Sequence, residues 1–409
     1  MRIKVNPNKK DLIAILPCHS EDGKLIYDVQ EKIGAWHTEL VYLAMEHGYE
    51  ILDIFEVWHF PPSERSDTIM KGYMEFFIRK KQECEGWSKL GKSLYNEEEM
   101  KDLTVEKKKA ICDHMKVVNG GFARPYEENV RVDPVGRSAA KLKANSLWGK
   151  HVQTSPTEFS ISIYGYKQYL ELMHNTMIDH STVKFRQINE MVFKVTYQIH
   201  ENAITDTNRF LNVFLASSVT AHAQVVLMRQ MYVVGPERVL YCDTDSIICL
   251  RNKNTPKFDK PGLGNWENEH PKGVIEWYIA LAPKCYSKKV TEKNKSDIKL
   301  KCKGVRNTIE NMGIATESNI FKVVDKAFMG EVLEEKDQIQ VNTMTIHPNS
   351  TKKEVDYHAM MTSNGKKQVR PVYTKRQLLI NLDKNIKGME QMGLVRLVPF
   401  GYEGEHGNI

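Results

Sequence analysis

The chain has 409 residues, 41% apolar and 27% charged, a composition that excludes disordered, collagen-like and disulfide-scaffold classes. Lys plus Arg exceeds Asp plus Glu by 58 − 52 = 6, a mild basic excess that permits a polyanionic partner without demanding one. Seven scattered cysteines with no Cys-x-x-Cys pair argue against a zinc site and favour a reducing, intracellular compartment.

The length leaves room for two or three subdomains. No apolar core of a secretory signal follows Met1, so the expectation is a protein that is not secreted. Residues 1–30 read as extended segments around Pro7 and Pro17. From Gly34 to Phe60 the pattern is a helix, a turn at His47-Gly48 and a strand dense in β-formers. Residues 63–115 are charged and helical by pattern, with a loop expected from Gly86 to Tyr95. The triplet Arg79-Lys80-Lys81 closes one of these helices and reads as a solvated end complementing the helix dipole.

Residues 116–135 form a Gly- and Pro-rich loop, followed by a helix from Pro134 to Trp148 with Gly149 expected just past its end. Residues 158–200 mix strands and a helix. The longest apolar stretch, Phe210 to Val234, carries Asn212, His222, Gln224, Arg229 and Gln230, and so reads as a buried helix rather than a membrane span. Residues 252–270 are loop, 271–305 two or three strands, and 306–409 a helix-rich segment.

Tyr241-Cys242-Asp243-Thr244-Asp245-Ser246 lies between two apolar runs and reads as a β-hairpin turning at its acids. Residues two apart on a strand share a face, so Asp243 and Asp245 are expected to point together, with Tyr241. Two close carboxylates repel unless a cation lies between them, and hard oxygen ligands suit Mg²⁺. A bare Asp-x-Asp is also a self-capping turn. The flanking strands, the aromatic and the serine favour the metal. A second constellation lies on the 134–148 helix. Arg137, Lys141, Asn145 and Trp148 follow i, i+4, i+8, i+11 and fall on one face, with two cations for a triphosphate and an aromatic plane for a base. A solvated basic face anchored by Trp148 would carry the same residues.

Lys141-x-x-x-Asn145-Ser146-x-Trp148-Gly149 followed by Tyr241-x-Asp243-Thr244-Asp245-Ser246 resembles family B DNA polymerases, closest to the protein-primed branch of adenoviruses, linear plasmids and Polinton-type transposons. Further segments keep the family's order. Gly34 to Leu40, with Gly48-Tyr49 and Glu56-Val57-Trp58, resembles the segment before the fingers. Asn212 to Gln224 resembles the helix under the catalytic hairpin. Ala282-Pro283-Lys284-Cys285-Tyr286 resembles the Lys-x-Tyr motif at the primer terminus, and Lys301 to Val305 the strand after it. Tyr373-Thr374-Lys375-Arg376 and Pro399 to Tyr402 resemble the C-terminal end.

The resemblance implies an α+β fold of right-hand polymerase architecture with partial palm, fingers and thumb. The expected division is 1–62 palm-adjacent, 63–150 fingers, 151–315 palm and 316–409 thumb. It implies nucleotidyl transfer of a dNTP to a primer 3′-hydroxyl on a DNA primer-template, with two Mg²⁺ ions and a terminal priming protein as a partner, and no membrane. Asp243 and Asp245 become the metal carboxylates. Arg137, Lys141, Asn145 and Trp148 become the nucleotide site, although the family often has Tyr at the last position. Tyr241, Thr244, Lys284, Tyr286, Lys301 and Lys303 become primer and DNA contacts. Lys299, Lys301 and Lys303 alternate with Ile298, Leu300 and Cys302, a basic strand face suited to a DNA backbone or simply to a protected sheet edge.

The family's other motif, Asp-x-x-Ser-Leu-Tyr-Pro, supplies the remaining bridging carboxylate and is expected upstream. Asp11 to Pro17 copies its spacing but lacks the Ser and the Tyr, so Asp11 is read as a decoy. The chain is therefore expected to be the C-terminal half of a polymerase. The missing aspartate leaves open a nucleic-acid-binding remnant of a mobile element without catalysis, and the departures at Gln224 and Thr374 suggest relaxed constraint. A reverse transcriptase fits less well, since those enzymes carry Tyr-x-Asp-Asp.

Overall fold

The computed structural model describes residues 1–153, 158–200, 211–253, 255–258, 262–292, 295–302, 339–349, 356–369, 375–381 and 394–403. The chain opens with β1 (Arg2–Asn6), β2 (Cys18–His19), β3 (Leu25–Ile26), β4 (Lys32–Ala35), α1 (Thr38–Glu46) and β5 (Glu50–Glu56). Helices α2 (Lys71–Glu83), α3 (Trp87–Gly91), α4 (Val105–Val118) and α5 (Pro134–Lys150) follow. Next come β6 (Glu158–Ile163), α6 (Tyr166–Met173), β7 (Ile178–Asn189) and β8 (Val192–Ile199). The long helix α7 (Val213–Val234) leads into β9 (Val239–Asp243) and β10 (Ser246–Cys249). Strands β11 (Gly273–Ala282), β12 (Cys285–Glu292), β13 (Lys295–Cys302), β14 (Ile339–Asn349), β15 (Asp356–Val369), β16 (Gln377–Asn381) and β17 (Leu394–Val398) complete a mixed α and β structure.

Two compact units divide these elements: Met1–Val152, Asn212–Pro271 and Lys375–Ile409 form the first, Gln153–Leu211 and Lys272–Thr374 the second. In the first, β1 is the centre of an antiparallel sheet in the order β4-β1-β5. Its alternation buries Ile3 and Val5 while Lys4 stays half-exposed. Leu40, Val41, Leu43 and Ala44 give α1 one buried face at helical spacing. Ala221, Val225, Met228 and Met231 do the same for α7, and both faces meet the sheet side chains in one core. Burial of each large side chain there contributes about 1.5–3 kcal/mol. Asn212 caps α7 by accepting from the Leu215 amide at 2.9 Å, and Gly235 ends it at φ 102°, a value that suits glycine.

The core is closed by a segment remote in sequence. Arg376 donates to the carbonyls of Leu12 (2.9 Å) and Ile13 (2.7 Å), and its guanidinium lies 4.7 Å over the Tyr27 ring. Val29 donates its amide to Phe400, and Phe400 to Tyr27.

In the second unit, β6, β8 and β7 form an antiparallel sheet around Ile163, Leu172, Ile178 and Val195. Strands β11, β12 and β13 form another, with β12 central.

Three sequence expectations need correction. The segment after residue 306 was expected to be helix-rich. Among the described residues it holds strands β14 to β17 and no helix. Ile339, Val341, Thr343 and Thr345 put a β-branched residue at every second position of β14, which stiffens the chain towards a strand. The expected loop from Gly86 to Tyr95 contains α3, because Leu90 is drawn into a small core with Ile111 and Val130. Gly149 lies inside α5, and His151 caps it. No described helix is long and apolar enough to cross a membrane.

Candidate active site

The acidic hairpin forms as its sequence suggests. Asp243 pairs with Ser246, Cys242 with Ile247 and Tyr241 with Ile248, leaving Thr244 and Asp245 as the turn. Val239 and Ile247 pack against the main core, and α7 contacts β10, so the hairpin is seated on a rigid helix. The turn itself is strained. Thr244 has φ 56°, and the Asp245 amide donates to the Asp243 carbonyl at 2.6 Å, a three-residue γ-turn. A β-branched residue with positive φ is disfavoured, at about 1–3 kcal/mol. The Thr244 hydroxyl donates to Asp243 Oδ1 at 3.1 Å, and the Ser246 hydroxyl donates to the Asp243 carbonyl at 3.1 Å. Tyr241 and Asp243 share a strand face, as expected. Asp245 sits in the turn, so the left-handed Thr244, and not strand alternation, sets its direction.

The basic helix also forms. Asp133 caps α5 by accepting from the Gly136 amide at 2.8 Å, and Pro134 occupies its first turn. Along α5, Lys141 and Asn145 are exposed and Trp148 is 37% exposed. Arg137 is not free: its Nε donates to Glu85 at 2.8 Å. Helix α2 packs beside α5, with the Tyr73 hydroxyl donating to the Lys143 carbonyl at 3.1 Å and Lys143 Nζ 5.7 Å over Phe77. Lys81 continues the Tyr73–Phe77 face. Burial pushes its ammonium pKa down, Glu85 pulls it up, and Arg137, Lys141 and Lys89 push it down again. Arg137 and Lys89 thus share the Glu85 carboxylate, with Lys81 in its field. Sequence reading treated Lys81 as a solvated helix end; the i, i+4, i+8 spacing of Tyr73, Phe77 and Lys81 was the signal for its place in this cluster. Helix α7 contacts both α5 and β10, all within the first unit.

Asp11 belongs to neither group. It is 6% exposed, accepts from the Tyr49 hydroxyl on Oδ2 (2.8 Å), and accepts from the Tyr232 hydroxyl (2.8 Å) and the Ile13 amide (3.0 Å) on Oδ1. Both carboxylate oxygens are engaged by protein donors. It is a structural acid, as the missing Ser and Tyr of its motif suggested. Cys242, next to Asp243, lies in the field of Arg376, so the segment that closes the core also reaches the hairpin.

The Lys-x-Tyr segment lies in the second unit. Ala282 pairs with Cys285 across a turn of Pro283 and Lys284, and Lys284 has φ 59°, at a position usually held by Gly or Asn. Among the described residues three non-glycines have positive φ: Ala14, Thr244 and Lys284. Two of the three are candidate site residues. Tyr286 pairs with Ala280 and Lys301, its ring 5.3 Å from that of Tyr278. On β13, Lys299 and Lys301 are exposed while Leu300 is buried, the expected alternation. Lys303, Gly304, Val305, Tyr373 and Thr374 lie outside the described residues.

The donor chemistry of Asp243 and Asp245 fits a hard divalent cation: two carboxylates on one tight turn. Among the described residues, no group of three or more His, Cys, Asp or Glu side chains converges as a metal cage.

A stretch of 60 residues is 48% identical to the DNA-directed DNA polymerase of Enterobacteria phage PRD1, covering 15% of this chain and 10% of that protein. The chain is thus similar over part of its length to a DNA polymerase. No family model matches the chain, and no solved structure matches it.

Proposed function

We propose that this chain is part of a template-directed DNA polymerase of the protein-primed family B type, acting in the replication of a viral or mobile element. The observation that carries the reading is the strained Asp243-Thr244-Asp245 turn seated on α7, on the same unit as the basic face of α5. The partial identity with the phage polymerase supports it. In this reading the α+β structure is a right-hand polymerase with partial palm, fingers and thumb.

Asp243 and Asp245 would hold Mg²⁺ together with a carboxylate from an upstream motif. When bound, the metal ions acidify a primer 3′-hydroxyl and neutralise charge on the transferred phosphoryl group. Lys141 and Lys81 would neutralise the triphosphate, with Arg137 joining them by exchanging Glu85 for phosphate. Asn145 would orient the nucleotide, and Trp148 would pack on the nascent base pair. Tyr241 and Thr244 would border the primer end. Lys284 and Tyr286 would hold the primer terminus, and Lys301, with Lys303, would follow the DNA backbone. A terminal priming protein would supply the first hydroxyl.

Metal participation contributes several kcal/mol, at about tenfold per 1.4 kcal/mol. In the intact polymerase of which this chain is read as a part, Asp245→Ala should therefore lower Mg²⁺-dependent primer extension about a thousandfold. Mn²⁺ binding followed by electron spin resonance should weaken in parallel. Wild-type extension by the variant would sink the assignment.

A second reading is a nucleic-acid-binding remnant without catalysis. It is favoured by Asp11, whose carboxylate serves the core. Extension of a primer by the purified chain alone would reject it.

A further inference from the structure

Helix α2 has a second functional face. Tyr73, Phe77 and Lys81 meet α5. Lys71, Glu75 and Arg79 repeat the same i, i+4, i+8 spacing two residues earlier, about 200° round the helix. That opposite face borders a cavity of about 290 Å³, between α2, Lys116 of α4 and the loop from Gly121 to Tyr126. Four cations line it, against one lining carboxylate, Glu75. Arg124 is already held by Asp113 (2.7 Å) and Glu127 (3.0 Å). Lys71, Arg79 and Lys116 make no ion pair among the described residues.

Arg79 is the anchor. Its guanidinium lies 4.4 Å over the Tyr126 ring and 5.7 Å from Phe76. Its Nε is buried and has no hydrogen-bond partner among the described residues. A buried donor without an acceptor is destabilising, so the protein leaves this half-buried fork uncompensated. Stacking holds the planar fork in place, as phosphate recognition requires.

We propose that this cavity binds a nucleotide unit of a single-stranded nucleic acid, its phosphate on Arg79, Lys71 and Lys116 and its base against Phe122 or Tyr126. Cations beside aromatic rings are the chemistry of strand-binding grooves. A free phosphate would use the same cations, but two observations favour a strand. Tyr126 is 44% exposed at the rim. Lys109, seven positions before Lys116 and so on the same face of α4, adds a further cation there, the intervening Asp113 being held by Arg124. Lys109 and Lys116 are about 10 Å apart along the helix, further than one phosphate spans. The site rests on the nucleic-acid reading above but not on catalysis, and it lies across α2 from the proposed nucleotide site.

The test is fluorescence anisotropy of a labelled oligothymidylate with the full chain, across a salt series. Arg79→Gln and, separately, Lys116→Glu should each weaken binding roughly tenfold and lower the salt slope by about 0.7 per lost contact. Lys116 is exposed, so its variant folds even where Arg79→Gln does not. Wild-type affinity and slope in Lys116→Glu, with the same result in any folded Arg79→Gln, would overturn the proposal. So would displacement of the oligonucleotide by inorganic tripolyphosphate at equal phosphate concentration, which would make the site one for free polyphosphate. Tripolyphosphate is expected to compete only weakly. Failure of primer extension leaves these outcomes unchanged, so the two readings fail separately.

Discussion

Thr244 places backbone strain between two acids. Its positive φ is held by the Asp245-to-Asp243 backbone bond, and its hydroxyl is spent on the Asp243 carboxylate. Glycine would adopt that φ without the Cβ clash, a relief of about 1–2 kcal/mol, offset by about 0.5–1 kcal/mol of added freedom in the unfolded chain. Thr244→Gly should therefore leave stability within about 1 kcal/mol of wild type in urea denaturation. It should still lower primer extension, because the carboxylates lose their fixed turn. A stable variant with full activity would show that the strain serves neither. The hairpin was legible in the sequence because every partner lies within a few residues. The Arg137–Glu85 pair was not, since Glu85 lies in the link between α2 and α3, 52 residues away. The same holds for Lys81, which became part of a cluster only once α2 lay beside α5.

Among the elements, the Asp11 knot binds three pieces of backbone. Tyr49 enters from the start of β5, Tyr232 from the last turn of α7, and Asp11 from the loop after β1. His47 stacks on Tyr232 at 3.5 Å between ring centroids, extending the knot to the end of α1. Asp11→Ala would leave two buried hydroxyls and an amide without their acceptor, a loss of about 2–4 kcal/mol. An unfolding curve equal to wild type would show that Asp11 has no structural role. The knot also predicts an alkaline weakness. Burial, and then the Asp11 carboxylate, raise the pKa of both Tyr49 and Tyr232. The fold therefore prefers the neutral phenols. Their contribution is full below the ordinary tyrosine value of about 10 and is lost as pH rises beyond it. Melting followed by circular dichroism should decline more steeply above pH 10 in the wild type than in a Tyr49→Phe, Tyr232→Phe double variant. No periodicity announces such a knot, because its residues are 38 and 221 positions from Asp11. What the sequence did show was the reverse: a motif-like spacing without the motif's other residues. Pattern also failed after residue 306, where among the described residues strands stand in place of the expected helices; in β14 a β-branched alternation outweighs a helical reading.

At the scale of the whole molecule, the first unit is assembled from three separate stretches of chain. The resemblance of Pro399 to Tyr402 to a C-terminal family segment gave the order of these pieces but not their contacts. Arg376 ties the last of these pieces to the first. Its two hydrogen bonds span 364 and 363 positions, and no described carboxylate pairs with it. Arg376→Ala should lower unfolding stability by about 2–3 kcal/mol, read from the urea midpoint. Little change would mean that Leu12 and Ile13 find water instead.

The same clamp orders events in time. Of the elements described, the sheet, α1 and the Asp11 loop are synthesised before the rest, yet their core is sealed by a residue made some 360 positions later. At about 5–20 residues per second, the early half waits roughly 20–70 seconds with its carbonyls uncovered. The acidic hairpin and α7 lie between these two points, so the turn can form on its helix before the final segment returns to cover Leu12 and Ile13.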